Sequence, residues 1–265
     1  MRSNAWKSEW KRLMKQELQF LKKRKKVQVS LLNEKLDPLV PERLKGVLEK
    51  AFIKGFQIIF EKGNIIIDKT YNKKKKEQDF KIRSYAADIK QDRKSLKDIQ
   101  KGAVVSNYKN LAISAVEGTA FGALGIGVPD IPLFLGVILK SIYEIAVNFG
   151  YQYDSEEEKY FILNLIFYSL QKGNQIEEKN AEMNQMIYQY VNQNITVMAA
   201  KSEELVQEMI EKTACTLSEE LLYLKFLQGI PLVGVVGGLS DITYLKQITD
   251  YAFLKYRRRY LLENQ

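Results

Sequence analysis

Apolar residues recur at spacings of three and four through nearly the whole chain, a period that predicts helices with one buried face. The first such run covers residues 4–26. Trp6, Trp10, Leu13, Met14, then Glu17 or Leu18, and Leu21 form its stripe, while Lys7, Lys11, Arg12, Lys15, Lys22, Lys23, Arg24, Lys25 and Lys26 fill the other sides. After a break at 33–38, Val47, Leu48, Ala51, Phe52, Gly55, Phe56, Ile59 and Phe60 define a core helix, with Pro41 at a first helical position and Gly63 just past the end. Lys73, Lys74, Lys75 and Lys76 form a run that no core can absorb, so a loop or exposed helix end is predicted there. From Asp79 to Lys101 the helical period returns, carried by Phe80, Ile82, Tyr85, Ala86, Ile89, Leu96 and Ile99.

The longest apolar stretch runs from Ala115 to Tyr151 and predicts two helices, Val104 to Ile126 and Pro132 to Tyr151, joined at Pro129 and Pro132. Gly118, Gly122 and Gly125 share one side of the first, where another backbone can approach closely. Gly118 to Leu139 has the length of a membrane crossing, yet the prolines divide it. A hairpin buried in the protein is the simpler reading, and a shallowly inserting one is the alternative. Asp154 or Ser155 caps a helix with Glu156, Glu157 and Glu158 in its first turn. Tyr160 to Leu170 should be central, and Asn174 to Met198 and Lys201 to Thr213 should be outer helices. Further on, Leu221 to Leu227 is followed by a second glycine-rich hairpin at Pro231, Gly234, Gly237 and Gly238. The closing helix, Ile242 to Leu262, puts Ile248, Tyr251, Ala252, Lys255 and Arg259 on one side. Only Asn64 to Ile67 hints at a strand. The fold class is therefore all-α: a basic amphipathic extension, 1–37, precedes a single helical domain, 38–265, and about 9 to 11 helices surround two glycine-rich hairpins.

Composition changes this picture in two respects. The net charge of +9 is unevenly spread: residues 1–110 carry 29 Lys and Arg against 13 Asp and Glu, whereas 111–265 carry 12 against 19. A basic helical half of this kind meets polyanions, either lipid headgroups or nucleic acid. The aromatic residues of this half fall on apolar helix faces and not among base-stacking groups, which disfavours nucleic acid. Secondly, the chain has no histidine and one cysteine, Cys215. That excludes His-based nucleophile activation, His-built zinc sites and an internal disulfide, and fits a cytoplasmic setting. No secretory apolar segment opens the sequence.

The candidate chemistry is sparse. Glu117, Asp130, Glu144 and Asp241 lie in or beside glycine-rich apolar sequence with Gly118, Gly122, Gly234 and Gly238, and form a possible ligand or core-packing site. Buried together, such carboxylates would bind a metal or act as an acid–base pair. Alternatively each caps a helix or pairs with Lys140, Lys246 or an Arg of the last helix. No phosphate loop is present, since GALGIG lacks the Gly-Lys-Ser/Thr ending. No cofactor is expected.

The order of VPERL, then AVEGTAFGALGIGVPDIPLFLGVILKSIYEIAVNFGYQYDSEEEKYFIL, then IPLVGVVGGLSDITYLKQITDYAFLKYRRRYL resembles the EcsC family of bacterial proteins named with the Ecs ABC transporter. The resemblance covers most of residues 38–262. It implies a non-enzymatic accessory or interaction protein, linked to an ABC transporter and peripheral to the cytoplasmic face of the membrane. Trp6, Trp10 and the basic residues Lys11, Arg12, Lys22 to Lys26 and Lys73 to Lys76 would then contact an anionic membrane surface or a membrane protein. A hydrophobic-ligand carrier or lipid-acting enzyme with a cavity between the glycine-rich hairpins is the alternative, and a metal-dependent hydrolase a third.

Overall fold

A computed structural model describes residues 4–26, 37–63, 67–68, 70–102, 130–192, 202–228 and 237–264. Among these residues the structure is helical without strands. The helices are α1 (Asn4–Lys25), α2 (Glu42–Ile58, continued by a wider turn over Ile59–Gly63), α3 (Lys73–Lys90), α4 (93–102), α5 (Asp130–Asn148), α6 (Glu156–Leu170), α7 (Ile176–Val191), α8 (Ser202–Gln228) and α9 (Gly237–Glu263). The predicted helix at 104–126, most of the strand hint at 64–67 and the loop of the second hairpin lie outside the described residues.

Local chemistry fixes the element ends. Asn72 caps α3 by accepting from Lys75 N at 2.9 Å, and α3 stops where Gln91 turns left-handed, φ 44°. Asp92 accepts from Ser95 N at 2.7 Å to start α4. The predicted run from Asp79 to Lys101 is thus two helices, and the first of them begins at Lys73. Ser155 caps α6 by accepting from Glu158 N at 3.2 Å, and the three glutamates of that first turn oppose the positive helix end. Pro132 falls inside the first turn of α5, where its missing N–H would have had no intrahelical partner. At the other end of α5, Tyr151 N donates to Ala146 O and Gly150 N to Val147 O, both at 3.0 Å, with Gly150 at φ 89°. This hydrogen-bonded reversal turns the chain toward α6.

Helix α6 is central and has no exposed residue. It lies between α8, which is backed by α2, and α9, which also packs on α5, α7 and α1. Ten of its fifteen residues are buried, from Glu158 to Leu170. Helices α2 and α3 both lean on α5, and a Cβ at Gly55 of α2 would come within 2.7 Å of Leu135. The segments predicted as Lys201 to Thr213 and Leu221 to Leu227 are one 27-residue helix, α8. Val206, Met209, Ile210, Ala214, Leu217 and Leu221 are buried along it, so α8 is a core helix and not an outer one. Two polar residues, Thr213 and Ser218, are buried among them, and Ser218 turns its hydroxyl back to Cys215 O at 2.7 Å.

Helix α1, which the pattern sets apart as an extension, packs on α9 and α7. Its buried side is rotated from the predicted stripe: Trp6, Glu9, Leu13, Glu17 and Arg24 face inward, while Met14 and Leu18 remain 44% and 49% exposed. The reason for this rotation lies on α9.

Candidate functional site

Lys255, Arg257, Arg258 and Arg259 crowd the last turns of α9. On a free helix such a run would be solvated. Here Lys255, Arg257 and Arg258 are buried, and three acidic side chains from neighbouring helices neutralise the group. Glu17 of α1 accepts from Lys255 Nζ and Arg258 Nη2, and also from the amides of Asn180 and Asn184 on α7 at 2.9 and 3.0 Å. Those two asparagines turn their carbonyl oxygens to Lys255 Nζ at 2.6 and 2.7 Å. Glu9, also on α1, accepts from Arg257 Nη2 at 2.7 Å, Arg93 Nε at 3.1 Å and Gln100 Nε2 at 3.1 Å, joining α1, α4 and α9. Glu158 of α6 accepts from Arg259 Nη1 and Tyr256 OH, each at 2.7 Å.

The electrostatics follow from this pairing. Burial works to raise Glu17, but Lys255 and Arg258 outweigh it and hold the carboxyl at about 2. Lys255 is pulled down to about 8 by burial, with Glu17 resisting, so the pair is ionised at neutral pH. Burial also lowers Arg257, to about 10, against the pull of Glu9. Glu158 is raised by burial despite Arg259. Buried pairs of this kind add little net stability, since desolvation offsets attraction, but they penalise every register in which a charge is left alone. Arg257 Nε, Arg258 Nε and Ser141 Oγ are buried without a hydrogen-bond partner among the described residues.

Several residues marked in the sequence for membrane contact are drawn into this interior. Trp6 is buried, its indole donating to Leu261 O at 2.9 Å. Trp10 stacks on Trp6 at 5.2 Å between ring centroids, with the Arg258 guanidinium 5.1 Å above its own ring. The tryptophan pair therefore faces α9, with Trp6 buried and Trp10 half-buried. Arg24 is buried too; it donates to the carbonyls of Leu170 and Gln171 at 2.7 and 3.1 Å and to Gln247 Oε1 at 2.8 Å, a cation on the negative end of α6. Of the lysine run, Lys73 pairs with Asp154 at 2.7 Å and Lys76 with the buried Glu144 at 2.9 Å. Lys74 and Lys75 stay exposed, as do Lys11, Arg12, Lys22, Lys23, Lys25 and Lys26.

The carboxylate candidates are not brought together in what is described. Glu144 is the one whose side chain is described, and its pairing with Lys76 answers to the helix-pairing alternative, with a different lysine from those anticipated. Glu117, Gly118, Gly122 and Gly234 lie outside the described residues, as do the side chains of Asp130 and Asp241 and the surroundings of Gly238. Among the described residues no group of three His, Cys, Asp or Glu could hold a metal ion, and no helix is long and apolar enough to cross a membrane. The half-buried Cys215 has its thiol pushed up by burial and by Glu219.

An open cleft of about 500 Å³ lies between α1 and α9, with Phe20, Phe253 and Leu254 among its apolar walls and Lys23 and Lys246 among its polar ones. It is formed by the first and last helices, the latter being the second arm of the C-terminal glycine-rich hairpin, while α5, the described arm of the first hairpin, does not line it.

Glu9, Glu17 and Glu158 escaped the sequence reading as functional groups. One signal was present: Glu9, Leu13 and Glu17 are spaced by four, in phase with Trp6.

No curated protein and no solved structure matches the chain. The model of the EcsC protein family matches residues 7–261, from inside α1 through the charged turns of α9. With nearly its whole length so matched, the chain belongs to the EcsC protein family.

Proposed function

We propose that this protein is a non-enzymatic accessory protein that docks peripherally on an anionic membrane face, beside the ABC transporter that the family resemblance implies. The outer face of α1 carries this reading. Lys7, Lys11, Lys15 and Lys22 follow one another at helical spacing and are exposed, with Met14 and Leu18 among them. The opposite side of the same helix is held by Glu9, Glu17 and Trp6, so the lysines form a fixed array. Each lysine near an anionic surface contributes about 1 kcal/mol, in proportion to surface charge and screened by salt. Binding is thus by charge with shallow apolar contact, and Trp6, buried, and Trp10, stacked on it and half-buried, take no part. Sedimentation with phosphatidylglycerol-containing vesicles should fall steeply with added salt and with Lys7, Lys11, Lys15 and Lys22 changed to Gln. Equal partition onto neutral and anionic vesicles would sink the proposal.

A second reading, a carrier of amphipathic ligands, rests on the cleft between α1 and α9, whose apolar walls and lysines suit an anionic amphiphile. Native mass spectrometry of the purified chain tests it: a retained lipid-sized mass, lost on changing Phe253 to Asp, is the expected result.

A further inference from the structure

We propose that the outer face of α3 is the segment that enters the interfacial layer of an anionic bilayer, a deepening that rests on the membrane-docking reading above. Ile82, Tyr85 and Ile89 were expected to contribute to a packed helix. They are instead 68%, 70% and 64% exposed. Their spacing of three and four puts them in one row along the helix. Most large apolar side chains among the described residues are covered, so three uncovered in a single row form a surface feature and not scattered exposure.

The row cannot roll inward, because the other side of α3 is fastened. Lys73 is held by Asp154 and lies 4.0 Å from the centroid of the Tyr153 ring, and Lys76 is held by Glu144. Phe80 meets Tyr260 edge-on at 6.2 Å between centroids, and it fills the space in which a side chain at Gly150 would stand. Ala87 is buried. The apolar row is therefore displayed by the packing of the helix.

Charge selects the occupant. Lys74, Lys75 and Lys81 are exposed on and beside the same face, with Gln78 between them. Asp88 lies at its far edge, while Glu77 accepts from Gln152 at 3.0 Å and Asp79 is paired with Arg83 at 3.6 Å. Four lysines in a first turn oppose the helix dipole, so α3 accepts a local cost to gather positive charge at this end. A second copy of the chain would bring the same lysines against one another. An anionic lipid surface satisfies both the lysines and the apolar row, and isoleucine and tyrosine flanked by lysine is the composition of a helix lying in an interface.

The test uses the full chain with Cys215→Ser and either Ile89→Cys or Leu18→Cys, labelled with an environment-sensitive fluorophore, on phosphatidylcholine vesicles with and without phosphatidylglycerol. The label at position 89 should shift to the blue on anionic vesicles and be quenched by spin-labelled lipid, more strongly than the label at 18. The unlabelled variant Ile82→Ser/Tyr85→Ser/Ile89→Ser should keep its melting temperature, because the row touches no core, and lose about tenfold or more in partition. A chain that binds anionic vesicles while position 89 stays in water, or whose triple variant partitions unchanged, overturns the assignment to α3 and leaves membrane docking intact. Failure of the unlabelled chain to bind any anionic vesicle overturns docking itself. Self-association of the wild-type chain in sedimentation, abolished in the triple variant, would assign the face to a second copy and also overturn the proposal.

Discussion

The indole of Trp6 donates to the carbonyl of Leu261 at 2.9 Å, joining residues 255 positions apart. Changing Trp6 to Phe keeps the ring on α9 but removes that donor, and should cost about 1 kcal/mol in urea unfolding. Trp6→Ala should cost about 3–5 kcal/mol, because it also removes the partner on which Trp10 stacks. Tryptophan emission should not move when the protein binds vesicles.

Glu17 is the sole carboxylate that the described structure places against both Lys255 and Arg258. Glu17→Gln preserves the shape but leaves two buried cations facing an amide, and should destabilise by about 3–5 kcal/mol. Adding Lys255→Met to Glu17→Gln should recover part of that loss, so a double-mutant cycle should show strong coupling. Additive losses would mean that the pair is not coupled.

The same carboxylate sets an acid limit. Its folded pKa of about 2 lies below the ordinary 4.5, so the unfolded chain takes up a proton more readily. The resulting stability is complete above about pH 4.5 and is lost as pH falls toward 2. Glu158, raised by burial, works in the opposite sense, its ionised form being a cost in the folded state that acid relieves. Chemical denaturation across this range should show stability declining with acid, and Glu17→Gln should flatten the decline.

Two left-handed glycines should respond differently to alanine. Gly150, at φ 89°, would place a Cβ 2.3 Å from Phe80 Cε1. Gly150→Ala should therefore cost about 2–4 kcal/mol, strain and collision combined. Gly173, at φ 68°, has nothing within 4 Å of such a Cβ, and its alanine variant should lose only about 1 kcal/mol. Thermal melts of the two variants compare them directly.

The helical class was legible because the three-and-four period dominates the chain, and Ile248, Tyr251, Ala252 and Lys255, which that period sets on one side of α9, are all buried, but it gave no sign that Arg257 and Arg258 are buried as well. The inward side of α1 was misjudged for a physical reason. Periodicity ranks side chains by apolarity, so it chose Met14, passed over Glu9 and did not separate Glu17 from Leu18. Glu9 and Glu17 are drawn in by cations that stand more than 200 residues further along. In the same way Ile82, Tyr85 and Ile89 have the period of a core face, but Phe80, Lys76 and Lys73 secure the opposite one. Local pattern shows that a helix has two faces; which one is buried depends on what the neighbouring helices offer.

The pairing of α1 with the end of α9 also bears on synthesis. Glu17 must wait for Lys255, 238 residues later, before it has its main counter-charge. While the chain emerges from the ribosome, the lysine-rich helix with its two tryptophans exists without its dock, and domains that depend on such distant contacts complete their packing late. A nascent chain stalled before the Lys255–Arg259 segment would leave Glu9 without Arg257 and Glu17 without Lys255 and Arg258, with α4, α6 and α7 remaining to receive the inner side of α1. Release of α9 is thus the step that turns a sticky amphipathic helix into a helix with one outward, lysine-bearing face.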